Sequence, residues 1–161
     1  MSSEARRIAV GSDMHHAVAD GIADRLETAG YAVVRCGAVT AADTPWPEVA
    51  EQVARLVAAG AVDDGVVCCW TGTGVSIAAN KVPGIRAALC RDAETARGAR
   101  RWNDANVLAL SLRATSAALA EEIVDAWLAT REVDAAEQDN IARVGQIERR
   151  YRERAVAHST E

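Results

Sequence analysis

Short apolar runs alternate with longer segments whose apolar residues recur at helical spacing, and that alternation limits the possible folds more than any other feature. The runs are Ile8–Val10, Val33–Val34, Val66–Cys69, Ala87–Cys90 and Val107–Leu110, each with the length and character of a strand buried on both faces. Between them Val18, Ile22 and Leu26 recur every fourth residue, Val49, Val53, Leu56 and Val57 line one helical face, and Leu119, Ile123 and Trp127 repeat the pattern later. Strands that are each followed by an amphipathic helix predict right-handed crossovers and a parallel sheet covered on both faces. The expected fold is α/β, a Rossmann-like three-layer sandwich around a five-stranded parallel sheet. The length of 161 residues suits a single domain, 1–161, with its core over about residues 7–130.

Punctuation agrees with this reading. Gly30 closes the first helix, Pro45 and Pro47 bracket a turn before the second, and Gly72 and Gly74 join the third strand to its helix. After about Thr130 the chain becomes charged, and Ile141, Val144, Ile147 and Tyr151 recur at three- and four-residue spacing. This predicts a C-terminal helix over about residues 134–155 with a thin apolar seam, read as a dimerisation element. Phenylalanine is absent and the large rings are four Trp and two Tyr, so alanine-rich helices should pack closely on a valine-rich sheet.

Charge and cysteine usage narrow the function classes. A net charge of -5 repels polyphosphate backbones and anionic lipid, so neither nucleic acid nor a membrane is an expected partner. No positively charged start leads into a long apolar run, so neither a signal peptide nor a membrane span is expected. Cys36, Cys68, Cys69 and Cys90 lack zinc spacing and read as reduced thiols of a cytoplasmic protein. With only three histidines, no metal site is expected.

Ligands of open parallel sheets bind beyond the carboxyl ends of the strands. The residues there are Gly11-Ser12-Asp13, Cys69-Trp70-Thr71-Gly72-Thr73-Gly74, Arg91-Asp92 and Ser111-Leu112-Arg113. In the second of these segments small residues let the backbone approach a ligand, and a helix starting near Val75 aims its free N–H groups at the same point. That suits a phosphate or an enediolate oxygen; the plainer reading is a tight strand-to-helix turn. Gly72-Thr73-Gly74 lacks the third glycine of the dinucleotide fingerprint, Ile77 standing there, and there is no Gly-Lys-Ser/Thr P-loop. Neither NAD nor ATP is expected, and no cofactor is called for.

Cys69 ends the third strand facing this turn, where a helix N-terminus favours the thiolate and allows a nucleophile or proton-abstracting base. Strand alternation points Cys68 elsewhere, and Cys36, Cys68 and Cys90 read as small buried hydrophobes. Asp13 can accept hydrogen bonds from sugar hydroxyls, cap the first helix, or do both. Asn103-Asp104-Ala105-Asn106 is either a polar turn or a set of hydroxyl-binding amides. Arg113 and Arg143 are candidates for an anionic group, against the alternative of solvated surface residues.

These residues, in this order, resemble the ribose-5-phosphate isomerase B and galactose-6-phosphate isomerase (RpiB/LacA/LacB) family. The likeness runs from about Arg7 to Tyr151, through Ile8-Ala9-Val10-Gly11-Ser12-Asp13, the long stretch from Thr71 to Ala88, and Asn103-Asp104-Ala105-Asn106. The resemblance implies Rossmann-like subunits in a homodimer or homotetramer, active sites shared between chains, and metal-free aldose–ketose isomerisation of sugar phosphates through a cis-enediolate. It puts Cys69 on the proton-abstracting cysteine and Thr71, Gly72 and Gly74 on the loop holding the enediolate, with Trp70 and Thr73 beside them. Asp13 and Asn103 fall on sugar-hydroxyl contacts, and Arg113 and Arg143 on substrate or phosphate arginines.

Departures from the family pattern gather at the same places. Trp102 stands where the family has a ring-opening histidine, and indole cannot accept a proton in its place. Met14 replaces a phosphate-region histidine, with His15 and His16 adjacent as substitutes. Asp139-Asn140 replaces an Arg-His pair before Arg143, Trp70 and Ser111 replace glycines, and Trp46 replaces a tyrosine. A narrower, more aromatic pocket follows, and with it a substrate shifted from ribose 5-phosphate, for example to a tetrose phosphate. The competing expectation is a catalytically silent member binding a polyol, glycoside or nucleoside-like ligand through its indoles.

Overall fold

The computed structural model describes residues 5–40 and 42–158. Five strands, β1 (Arg7–Ser12), β2 (Ala32–Gly37), β3 (Asp64–Cys69), β4 (Ala87–Leu89) and β5 (Val107–Ser111), alternate with helices along the chain. The helices are α1 (Ala17–Thr28), α2 (Trp46–Ala58), α3 (Thr73–Ala79), α4 (Ala93–Asn103), α5 (Ala117–Ala129) and α6 (Gln138–His158), the last preceded by a 3₁₀ turn at Ala135–Glu137. All strand pairs are parallel, in the order β2-β1-β3-β5-β4. The three-layer α/β sandwich expected from the periodicity is the observed one.

The two-residue period of a strand sorts the core into two halves. Ile8, Val10, Val66, Cys68, Leu108 and Leu110 meet α1, α4 and α5 on one face of the sheet. On the other face Ala9, Val67, Cys69, Val107 and Ala109 meet α2 and α3. Adjacent Cys68 and Cys69 therefore point to opposite sides, as strand alternation requires. The small-residue composition has a packing reason: α2 lies so close to the sheet that a Cβ on Gly11 would come within 2.7 Å of Val49, and one on Gly65 within 2.6 Å of Val53.

Element boundaries differ from the sequence reading where polar residues continue an element. The edge strand β2 extends well beyond Val33–Val34, because Arg35 covers its surface by pairing with Asp24 at 2.6 Å and Glu27 at 3.0 Å. β4 stops at Leu89, Cys90 serving instead as a donor from its N–H to the Ala109 carbonyl at 3.1 Å. Pro45 and Pro47 do not bracket a turn: Pro45 caps α2 and Pro47 lies inside its first turn. A missing N–H has no cost there, since first-turn amides have no partner within the helix.

Two consequences of the topology place the functional residues. Leaving β1, the chain turns one way to β2, while β3 lies on the other side, so the carboxyl ends of β1 and β3 flank the switch-point crevice of an open α/β sheet. Each crossover helix then runs back to the opposite edge. The last residue of α4, Asn103, accordingly lies at the amino edge, where the Gly65 N–H donates to the Asn106 carbonyl at 3.2 Å.

The C-terminal helix α6 buries none of its residues. Val144, Ile147 and Tyr151 remain 51%, 52% and 59% exposed, and the Gly84 N–H donates to the Glu148 carboxylate at 3.1 Å. Between α6 and the domain lies a groove of about 1010 Å³, lined among others by Pro83, Ile85, Trp102, Ile141, Val144 and Tyr151. Among the described residues no helix is long and apolar enough to cross a membrane.

Candidate active site

The crevice between β1 and β3 is built from the ends of apolar strands. Ser12 pairs in register with Cys68, so one step further along the two strands Asp13 comes beside Cys69. On the other flank Cys69 pairs with Ser111 at the end of β5. The Cys69 Sγ accepts a hydrogen bond from the Gly72 N–H at 3.2 Å, which ties the thiol to the start of α3. Just beyond, the Thr71 and Thr73 hydroxyls share a hydrogen bond of 2.7 Å. First-turn amides of α3 have no partner inside the helix and point into the same space. A thiol, two hydroxyls and free backbone donors thus share one corner.

Gly72 makes this turn possible. Its φ is +76°, a left-handed conformation that side chains with a Cβ resist, and an added Cβ would meet Leu89 at 2.6 Å and the Leu110 backbone at 2.9 Å. The Ser111 hydroxyl braces the neighbouring segment, donating to the Trp70 carbonyl at 3.0 Å and accepting from the Ala114 N–H at 3.2 Å. This tying role was not read from the sequence; its only trace there is a hydroxyl placed directly after an apolar run.

Burial acts on three of the cysteines, Cys36, Cys68 and Cys90. Burial pushes the Cys68 thiol up to about 12, with Cys69 and Asp13 adding to the effect. Cys90 rises to about 12 through burial and the nearby Asp92, and burial alone raises Cys36. All three therefore stay protonated, which suits their expected role as small hydrophobes. Asp92 caps α4 by accepting from the Thr95 N–H at 2.7 Å, and that backbone bond is the main reason its pKa is lowered.

Asp13 is the strained member of the set. Its Oδ1 is buried with no hydrogen-bond partner, and burial pushes its pKa up against the opposing backbone N–H groups of Asp13 and Met14. It does not cap α1. His16 does so, its Nδ1 accepting from the Val18 N–H at 3.2 Å, because the turn after β1 delays the helix until Ala17. A raised folded-state pKa means that the fold favours protonated Asp13, so the ionised carboxylate at neutral pH counts against stability. Asp13→Ala is expected to stabilise the protein by about 1 kcal/mol, the order of an unsatisfied buried group, and so to raise Tm by about 2–4 °C. Thermal melts at pH 7 check this; a lowered Tm would mean that Asp13 is satisfied in the folded state.

The other expected site residues divide between the two edges. Trp70 is 51% exposed beside the crevice, and Arg113, exposed at the same edge, donates its N–H to the Trp70 carbonyl at 3.1 Å. His15 is exposed on the loop after β1. Trp102 and Asn103 end α4 at the amino edge and line the α6 groove, and Arg143 is exposed on α6. Within one chain, then, these last three do not join Cys69. Of the Asn103–Asn106 quartet most is structural. Asp104 takes a left-handed φ of 49° and binds Arg86 through its carboxylate at 3.1 Å. Asn106 accepts from the Arg86 N–H at 2.8 Å and donates to the Gly84 carbonyl at 3.0 Å.

Known proteins share both the sequence and the fold. The family described as Ribose/Galactose Isomerase matches residues 8–147. Ribose-5-phosphate isomerase B of Escherichia coli (strain K12) is 38% identical over 150 residues, covering 90% of this chain and 98% of the relative. D-erythrulose-4-phosphate isomerase of Pectobacterium atrosepticum is 39% identical over 123 residues, covering 75% of this chain and 81% of the relative. Among solved structures, ribose-5-phosphate isomerase B of Clostridium thermocellum superposes with a TM-score of 0.85 at 41% identity, covering 90% of this chain and 99% of that one.

Proposed function

The chain belongs to the ribose/galactose isomerase family, and we propose that it interconverts the aldose and ketose forms of a small sugar phosphate through a cis-enediolate, as a cytoplasmic homodimer needing no metal. The observation that carries this reading is Cys69, at the switch point, with its Sγ held by the Gly72 N–H and the unpaired first-turn amides of α3 beside it.

In this reading the Cys69 thiolate removes the proton from the carbon next to the carbonyl, and the electron pair moves onto oxygen. Thr71 and the free backbone donors of Thr73 and Gly74 stabilise that oxygen, while the Gly72 N–H stays on the Cys69 sulfur, and a fixed array of donors needs no reorganisation as the charge develops. The proton of the neighbouring hydroxyl passes to that oxygen as the thiol returns the abstracted proton to the former carbonyl carbon, so that the hydroxyl oxygen becomes the new carbonyl and the isomer forms with no net gain or loss of atoms. Asp13, with an unsatisfied oxygen at the crevice, accepts from a sugar hydroxyl. Trp70 forms a wall, and Arg113 and His15 lie at the same edge to meet an anionic group.

The amino-edge residues enter through a second copy. The half-exposed stripe of α6 is the face by which two chains associate, and Trp102, Asn103 and Arg143 of the partner subunit complete the pocket. Since indole supplies no proton acceptor for ring opening, the substrate is one that is already open. A four-carbon aldose esterified at its terminal hydroxyl cannot close a furanose ring, and a relative 39% identical to this chain is named for D-erythrulose 4-phosphate. The test incubates the protein in D₂O with erythrose 4-phosphate, ribose 5-phosphate and the corresponding ketoses, and follows exchange beside the carbonyl by NMR. The tetrose should turn over faster by roughly tenfold or more. Faster ribose turnover overturns the substrate assignment, and silence across the panel overturns the isomerase.

A further inference from the structure

Trp46, the first residue of α2, lies against the first turn of α3, and the loop leading to it is tied to the other wall of the crevice. On one side its indole rests on Gly74: a Cβ built there would fall 3.0 Å from Cε3 and 3.1 Å from Cδ2 of the ring. On the other side the loop leading to it is tied to β1, since the Thr44 N–H donates to the Asp13 carbonyl at 3.0 Å. Pro45 and Pro47 flank it and leave its backbone little torsional freedom. Below it on the same helix, Val49 sits where a Cβ on Gly11 or Gly37 would fall, so α2 cannot slide away from the sheet without losing that fit. The residue is nevertheless 45% exposed, unlike the buried Trp127.

We propose that Trp46 is a positioning residue that clamps the first turn of α3 by lying on Gly74, thereby fixing the amides and the Gly72–Cys69 contact against the Asp13 side of the crevice. The proposal rests on the reading of the Cys69–Gly74 turn as the catalytic one. Gly74 is small because a ring occupies the space, and the requirement runs from the indole to the glycine.

A double-mutant cycle tests this. Trp46→Ala should lower kcat by roughly 10- to 100-fold, as expected when reacting groups lose about an ångström of alignment, while KM changes by less than about threefold. Trp46→Phe, which keeps a flat ring, should restore most of kcat. Gly74→Ala should lower kcat less than Trp46→Ala does, because its methyl makes the indole give by only a few tenths of an ångström, and should add little in the Trp46→Ala background. Equal damage from Gly74→Ala in both backgrounds overturns the clamp, since the glycine would then serve the ligand directly. An alanine variant with kcat within about twofold of wild type overturns it as well. Should no sugar phosphate be turned over, the wild type and the same variants are compared by the rate of Cys69 alkylation with iodoacetamide. A several-fold rise in Trp46→Ala that Trp46→Phe reverses supports the clamp even if the isomerase reading has failed, and unchanged alkylation overturns it independently.

Discussion

Cys69→Ala is expected to slow isomerisation by roughly 10²–10⁴-fold, the usual contribution of a positioned general base, with only a small change in melting temperature. Cys69→Ser should be nearly as slow, because a serine hydroxyl at the same place holds its proton too tightly to act as the base. The informative control is the residue next to it. Cys68 has the same chemistry one position earlier, yet it is fully buried on the opposite face of the sheet and its thiol is pushed up to about 12. Cys68→Ala should therefore lower stability while leaving kcat within about threefold of wild type. Initial rates with the best sugar phosphate, together with deuterium exchange beside its carbonyl, make the measurement. Cys69→Ala retaining more than about a tenth of the wild-type rate would remove the thiol from the chemistry.

That contrast between neighbouring cysteines was legible in the sequence, because a two-residue period is enough to divide them. The strand order was not, but the parallel sheet followed from alternating runs and helices, and with it the carboxyl edge where Asp13, Cys69 and Arg113 gather. Helix returns were equally implied: a helix joining the end of β4 to the start of β5 must finish at the amino edge, which is why Trp102 and Asn103 stand apart from Cys69 in one chain. Side-chain to backbone bonds were the hidden part. That His16 rather than Asp13 caps α1, or that Asn106 spends both amide atoms on the Gly84–Arg86 segment, depends on loop paths a periodic pattern does not encode. The Trp46–Gly74 contact is hidden for the same reason, since it joins two helices that no local rule connects.

The least legible feature is the buried charge cluster at the amino edge, and removing its centre should have the largest effect on stability. Asp64 opens β3 and is 1% exposed. Its two oxygens are held by Arg6, 58 positions earlier, at 2.6 Å, and by Arg100, 36 positions later, at 3.0 Å. Arg100 also donates to the carbonyls of Ala105 at 2.7 Å and Thr130 at 3.0 Å, and its guanidinium lies 4.8 Å from the centre of the Trp127 ring. One carboxylate thus joins β3 to the segment before β1 and to α4, and through Arg100 to the ends of the α4–β5 and α5–α6 connections. Replacing it leaves two guanidinium groups facing each other with little water, and breaking a buried pair in this way costs about 3–5 kcal/mol. Asp64→Ala should accordingly lower Tm by on the order of 10 °C. Arg6→Met should cost less, because Arg6 is the more exposed partner, at 24% against 12% for Arg100, and one of its buried nitrogens, Nη1, has no hydrogen bond to lose. Urea unfolding of the three proteins gives the ranking directly. Asp64→Ala within about 1 kcal/mol of wild type would mean that the two arginines find solvent or new partners, and that the cluster does not hold the amino edge together.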